Sequence, residues 1–155
     1  MKRLEYKRIY DYEEIKELCW KSKSFFNSIS LDQELDWDEQ AEKYSKLGHF
    51  IACFSGNKFV GFVSFYANDQ KNKTAWFSLT GVHPKYRSEG VASKLRKMAE
   101  RISYEAGMRR VRLEVLAGNI PSISLCKKAG FEIVDYIEPN TYIFSKDLKP
   151  EQVFA

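Results

Sequence analysis

Val82-His83-Pro84-Lys85-Tyr86-Arg87-Ser88-Glu89-Gly90-Val91-Ala92 links an aromatic and β-branched run, Thr74 to Val82, to a stretch with helical spacing. Past the turn, Val91, Leu95, Met98, Ala99 and Ile102 fall on one helical face, which predicts an amphipathic helix over Ser88 to Ala106. A helix N-terminus offers unpaired N–H groups and the positive end of the helix dipole, so a strand feeding a helix here makes a ready anion site. Gly90 and Ala92 lack bulk where a phosphate must approach the backbone, and Arg87 adds positive charge beside them. On these grounds alone, a phosphate site and a plain tight turn stand as equal readings.

The flanking segments extend the pattern. Arg110 to Leu116 reads as a strand, and one helix joins it to the strand before Ser88. Such a crossover makes the two strands parallel neighbours, wound right-handedly. Upstream, Phe50 to Phe54 and Phe59 to Tyr66 are strands joined by the hairpin turn Ser55-Gly56-Asn57-Lys58, and Thr74 to Val82 completes an antiparallel meander. Leu4 to Tyr10 alternates as a short strand. Asp11 with Glu14 has the spacing of a capping box, which opens a helix running to about Phe25. Trp37 to Leu47 is a weaker helix stopped at Gly48. Pro121 to Ala129 is a short helix stopped by Gly130, and Phe131 to Tyr136 and Thr141 to Phe144 are closing strands. The expected fold is α/β: a central mixed sheet of about seven strands flanked by four helices, in one domain over residues 1–155.

Composition narrows the function. With 155 residues, 44% apolar and 30% charged, the chain has the balance of an ordinary globular protein. No apolar run approaches the ~20 residues of a membrane span. The start, Met1-Lys2-Arg3-Leu4-Glu5-Tyr6, turns polar too soon for a signal peptide. Three cysteines without CxxC spacing point to reduced thiols in a cytoplasm, and two histidines without a paired ligand argue against a metal. A net charge of +4 falls well short of the dense basic face of a nucleic-acid binder. A local basic patch meeting a phosphorylated small molecule is the more economical reading.

Arg87-Ser88-Glu89-Gly90-Val91-Ala92 resembles the phosphate turn of the GNAT acetyltransferase superfamily: Arg or Gln, two residues, Gly, one residue, then Gly or Ala. Asn119-Ile120-Pro121-Ser122-Ile123-Ser124-Leu125-Cys126-Lys127-Lys128-Ala129-Gly130-Phe131 is similar to the same family's Asn-led helix ending in Gly-Phe. The order of strands and helices also fits over nearly the whole chain. The resemblance implies an acetyl-CoA-dependent N-acetyltransferase with acetyl-CoA as cosubstrate and no metal. The backbone of Arg87, Ser88, Glu89, Gly90, Val91 and Ala92 would then wrap the pyrophosphate of coenzyme A. Asn119 would bond the pantetheine arm or a nearby backbone group while also capping its helix.

The resemblance further implies that two central parallel strands splay apart to admit the thioester, whose carbonyl a backbone N–H near Val82 polarises. Transfer would be direct. Glu114, in Leu113-Glu114-Val115, is the candidate base, expected next to apolar core with restricted water access; an ion pair with Arg112 or another cation is the structural alternative. Where relatives carry a Tyr that protonates the leaving thiolate, this chain has Cys126. That cysteine is either the acid or a small core residue, and Tyr142 is a further candidate donor. His83 reads as structural.

The acceptor pocket would involve the loop from Asn27 to Asp36, with acids Asp32, Glu34, Asp36 and Asp38, and the aromatics Phe25, Phe26, Tyr66 and Trp76. A small-molecule amine is the expected partner, without nucleic acid or membrane. Phe62 to Asp69 and Phe77 to Val82 loosely resemble GNAT proteins of surface-polysaccharide pathways, which points to an amino-sugar nucleotide. A peptide or protein amine, an amine antibiotic and an amino acid stay open, as does a homodimer through edge strands. A non-catalytic acyl-CoA-binding module is the rival of a different class, and only the Cys126 departure supports it.

Overall fold

The computed structural model describes residues 3–26 and 36–155. Strands β1 (Leu4–Arg8), β2 (His49–Ser55), β3 (Lys58–Asp69), β4 (Thr74–Val82), β5 (Arg110–Leu116), β6 (Glu132–Ile137) and β7 (Thr141–Asp147) form one seven-stranded sheet. Their order is β1-β2-β3-β4-β5-β7-β6. Every neighbouring pair is antiparallel except β4 with β5. The parallel pair falls where the one-helix crossover put it.

Among the described residues, five α-helices accompany the sheet: α1 (Tyr12–Lys21), α2 (Trp37–Lys46), α3 (Val91–Glu105), α4 (Ile120–Lys128) and a short α5 (Pro150–Val153). The Asp11 carboxylate accepts from the Glu14 N–H at 3.0 Å, and Asp36 caps α2 in the same way through Glu39 at 3.1 Å. The helical spacing that ran to Phe25 is met by α1 followed by a tighter 3-10 turn over Ser22–Phe25. Helix α3 begins at Val91 rather than Ser88, because Ser88 (φ 69°) and Gly90 (φ 81°) are both left-handed and cannot continue a right-handed helix. One turn, α5, is too short to leave a periodic signature.

Alternation along β2 sends Ile51 and Cys53 to one face of the sheet and Phe50 and Ala52 to the other. On the first face they pack with Val91, Leu95 and Ala99 of α3; on the second with Ile15 and Leu18 of α1 and Trp37, Ala41 and Tyr44 of α2. The α1/α2 layer covers β2 and β3, whereas β5, β6 and β7 carry no member of that second cluster. A Cβ on Gly61 would come within 2.8 Å of Val91 Cγ1, so the missing side chain is what seats the first turn of α3 against β3. Glu100 of α3 is buried, accepting from Arg96 at 2.7 Å and from Lys146 of β7 at 3.0 Å. Being paired on both oxygens, it is tolerated there and ties α3 to β7. Helix α4 sits more loosely: it has no buried residue, and Ile120 and Leu125 face solvent.

Candidate active site

The β4–β5 ladder runs from Thr74↔Arg110 to Phe77↔Leu113 and stops there, although β4 continues to Val82 and β5 to Leu116. The parting has a visible cause. Along β4, the register with β3 passes from Phe65↔Phe77 to Ser64↔Leu79, which leaves Ser78 as an extra, bulged residue. Beyond it β4 stays with β3, while β5 stays with β7 all the way from Arg110↔Asp147 to Leu116↔Thr141. Each strand keeps its outer partner, so a fork opens between them. The Ser78 hydroxyl shares a 2.8 Å hydrogen bond with Tyr44 of α2, which holds the bulge to the helix layer.

The His83 N–H donates to Val60 O at 2.8 Å, so this edge of β4 faces β3 at His83. Strand alternation then turns the N–H groups of Val82 and Thr80 to the opposite edge, into the fork. The Val82 carbonyl, on that same edge, accepts from Arg87 Nε at 3.2 Å. Arg87 Nη2 also donates to Phe25 O at 2.6 Å. The guanidinium expected as a charge beside the phosphate is thus first a strut, tying the turn to the end of β4 and to the segment after α1.

The turn itself has the shape of an anion nest. Left-handed residues at Ser88 and Gly90 bracket Glu89 immediately before the N-terminus of α3. Ser88, Glu89 and Gly90 are exposed, and a Cβ built on Gly90 meets nothing within 4 Å. That open, donor-rich surface fits a pyrophosphate. His83 belongs to the scaffold: its Nδ1 accepts from the Lys85 N–H at 3.1 Å, its ring packs edge-on against Phe25 and Tyr86, and burial, with Lys58, Lys85 and Arg87 nearby, pushes its pKa down. Ser88 in the left-handed region is strained by ~1–2 kcal/mol, partly offset by the chain entropy that a glycine would add on unfolding. Ser88→Gly should therefore raise stability by ~0.5–1 kcal/mol in urea denaturation. A lowered midpoint would show that the hydroxyl compensates for the strain.

Glu114 is the first residue of β5 past the end of the ladder, so it stands at the mouth of the fork. It is exposed, against the expectation of restricted water access. Leu113 and Val115 do turn to the α3 core, but Glu114 points to the other face, and no helix covers β5 there. Among the described residues it forms no ion pair with Arg112 or any other cation. Asn119 caps α4, its Oδ1 accepting from the Ser122 N–H at 3.3 Å. Cys126 leans on the α3-side core, and burial pushes its thiol up to about 11 despite the opposing effect of Arg96. Tyr142 lies on the same side, opposite Val115 and tilted against Tyr136.

Acceptor-side expectations divide. Residues 27–35, with Asp32 and Glu34, lie outside the described residues. Asp36 caps α2, and Asp38 accepts from Trp20 Nε1 at 2.8 Å, so both have structural work. Phe25 is core and Phe26 and Tyr66 pack against it, leaving Trp76 as the aromatic open to solvent. Thr80, Ser78 and the Phe25 carbonyl entered the site unannounced by the sequence. A bulge and a backbone acceptor leave no residue-type signal.

Comparison with known proteins gives this geometry a family. The family model described as "Acetyltransferase (GNAT) family" matches residues 12–131. The L-amino acid N-acetyltransferase AaaT of Escherichia coli (strain K12) is 28% identical over 128 residues, covering 79% of this chain and 78% of that protein. The SPbeta prophage-derived uncharacterized N-acetyltransferase YokL of Bacillus subtilis (strain 168) is 36% identical over 98 residues, covering 62% of this chain and 54% of that protein. The fold matches the PaiA N-acetyltransferase of Thermoplasma acidophilum, solved in complex with coenzyme A, with a TM-score of 0.74 at 20% identity, over 94% of this chain and 99% of that one. The parted parallel strands, the nest before α3 and the match over 12–131 agree, and the chain belongs to the GNAT family of acetyl-CoA-dependent N-acetyltransferases.

Proposed function

We propose that this protein moves the acetyl group of acetyl-CoA onto the primary amine of a small molecule, by direct attack within a ternary complex. The observation that carries the reading is the β4/β5 fork, closed at Phe77↔Leu113 and open beyond, with the Arg87–Ala92 turn at its open end. The N–H groups of residues 88–92 suit the pyrophosphate of coenzyme A, and Asn119 flanks the pantetheine arm. Acetyl-CoA supplies an activated acyl thioester. Everything else falls to the chain.

Val82 and Thr80 aim N–H groups into the fork, where they bond the carbonyl oxygen as it gains charge. Strand pairing already holds them in place, so no reorganisation is needed. The attacking amine must be neutral, and Glu114 at the fork mouth takes its proton directly or through water. The N–C bond forms as the C–S bond breaks, and the thiolate takes a proton from water. Glu114→Gln is expected to lower kcat/KM by ~10²-fold while acetyl-CoA affinity in calorimetry stays put; unchanged turnover would assign the proton to solvent alone.

Cys126 is a poor donor on this reading. Burial pushes its thiol up to about 11, above an ordinary thiol near ~8.5, so giving its proton to the leaving thiolate runs uphill. Cys126→Ala should keep kcat within about tenfold, the equivalent of ~1.4 kcal/mol. A larger loss would restore it as the acid.

The test is calorimetry with acetyl-CoA followed by an acceptor screen of amino-sugar nucleotides, amino acids (the class in the name of the E. coli relative), amine antibiotics and peptides. Turnover on an amine is expected. Tight acetyl-CoA binding with no turnover on any of them would favour a non-catalytic acyl-CoA-binding module instead. Unpaired cysteines and the demand for acetyl-CoA support a cytoplasmic setting.

A further inference from the structure

We propose that Arg112 anchors an anionic group of the acceptor, and that the acceptor is an amino carboxylate of the amino-acid type; this rests on the transferase reading above. Arg112 sits in the middle of the sheet, paired with Trp76 on β4 and with Ser145 on β7. Its Nε has lost its solvent contact and bonds to nothing. Acids lie on neighbouring positions, with Glu114 two residues along β5, Glu132 opposite Ser145 on β6 and Asp147 opposite Arg110 on β7, yet none forms an ion pair with it. A buried donor left unpaired costs ~1–3 kcal/mol, so its retention calls for a partner that arrives from outside.

Placement names that partner. Val111, Leu113 and Val115 turn to the α3 core, so Arg112 and Glu114 share the opposite face, the one the α1/α2 layer leaves uncovered at β5. The two are next neighbours on that face, ~6.5–7 Å apart along the strand. A guanidinium presents a planar fork that matches a carboxylate with two hydrogen bonds. A cation and a proton acceptor at this spacing fit a molecule whose carboxylate and amine are a few ångströms apart, the carboxylate on Arg112 and the amine toward Glu114 and the fork. An amino-sugar nucleotide holds its phosphates many bonds from its amine and spans this pair poorly. Half-exposed Trp76 and buried Ile143 flank the pair and give an apolar side chain a surface to rest on.

Initial rates at saturating acetyl-CoA on L-leucine, L-phenylalanine, L-methionine and L-threonine, each beside its carboxamide, test the anchor. The acid-to-amide ratio of kcat/KM in the wild type should exceed that of Arg112→Gln by ~10–100-fold, the effect of a charge-assisted hydrogen bond. Arg112→Lys, which keeps the charge but not the fork, should fall between them. Thermal midpoints of both variants should equal or exceed the wild type, since no bond within the protein is lost and an unpaired buried donor is removed. An equal ratio in wild type and Arg112→Gln, or a falling midpoint with the ratio unchanged, overturns the anchor. Turnover of other amines but of none of these amino acids overturns it too, and leaves the transferase reading standing. Should no amine turn over, calorimetry of the same acids and amides on the coenzyme A-loaded protein decides. Binding of acid over amide that Arg112→Gln abolishes supports the anchor while the transferase reading fails, and absence of that difference overturns the anchor as well.

Discussion

Gly90→Trp is expected to abolish the stabilisation that acetyl-CoA gives the wild-type protein. At 100 times its dissociation constant a ligand that binds only the folded state adds ~2.7 kcal/mol, a shift easily read in a thermal melt. Gly90 has φ 81°, and the space in front of it is open to at least 4 Å. An indole there fills the surface where the pyrophosphate is proposed to approach the nest, and also turns a large side chain across the first N–H groups of α3. The left-handed backbone adds ~1–2 kcal/mol of strain, which a domain stable by ~5–15 kcal/mol survives. Gly90→Ala separates the two effects: it carries the strain with little bulk, so it should melt lower yet keep most of the acetyl-CoA shift. A full-sized shift in Gly90→Trp would mean that the nucleotide lies elsewhere.

Phe62→Ala should produce the largest loss of stability. Phe62 is fully buried, stacked on Phe50 with centroids 5.2 Å apart, and set edge-on to Phe26 at 6.1 Å. Deleting a buried phenyl costs ~3–5 kcal/mol through lost transfer energy and the cavity left behind. That is a large share of a domain's ~5–15 kcal/mol. Phe62 also backs the fork, because Gly81 of β4 approaches its ring so closely that an added Cβ would meet it at 2.8 Å. A cavity there removes the support behind Gly81, so acetyl-CoA affinity should fall along with the denaturation midpoint, at an unchanged m-value. A loss below ~1 kcal/mol would show that the surrounding aromatics collapse into the space.

Most elements of the sheet were legible along the chain. Thr74–Val82 and Arg110–Leu116 agree with their predicted limits residue for residue, because the first is rich in β-branched and aromatic residues and the second alternates Val111, Leu113 and Val115 with charged residues. Asp11 announced α1 and Gly130 closed α4 through local backbone chemistry. The start of α3 was read three residues early, since a serine gives no warning that it will adopt φ 69°. In the candidate site, the structure sets the Arg87–Ala92 turn and Glu114 near the open end of the fork, but Glu114 is exposed where its apolar neighbours predicted restricted water access. Flanking apolar residues reveal which face a strand residue avoids, and they say nothing about whether a helix covers the face it chooses.

The sequence by itself determined the order of elements, the parallel pair and the glycine-bearing turn before α3, because hydrophobic period, capping and turn chemistry act over a few residues. Only the tertiary structure decided that β4 bulges at Ser78 and parts from β5 after Phe77, that Arg87 braces Phe25 from 62 residues away, and that the Nε of half-buried Arg112 is shut off from solvent without a hydrogen bond. These outcomes come from distant strands and loops competing for the same hydrogen bonds, a contest settled only when the whole sheet is assembled.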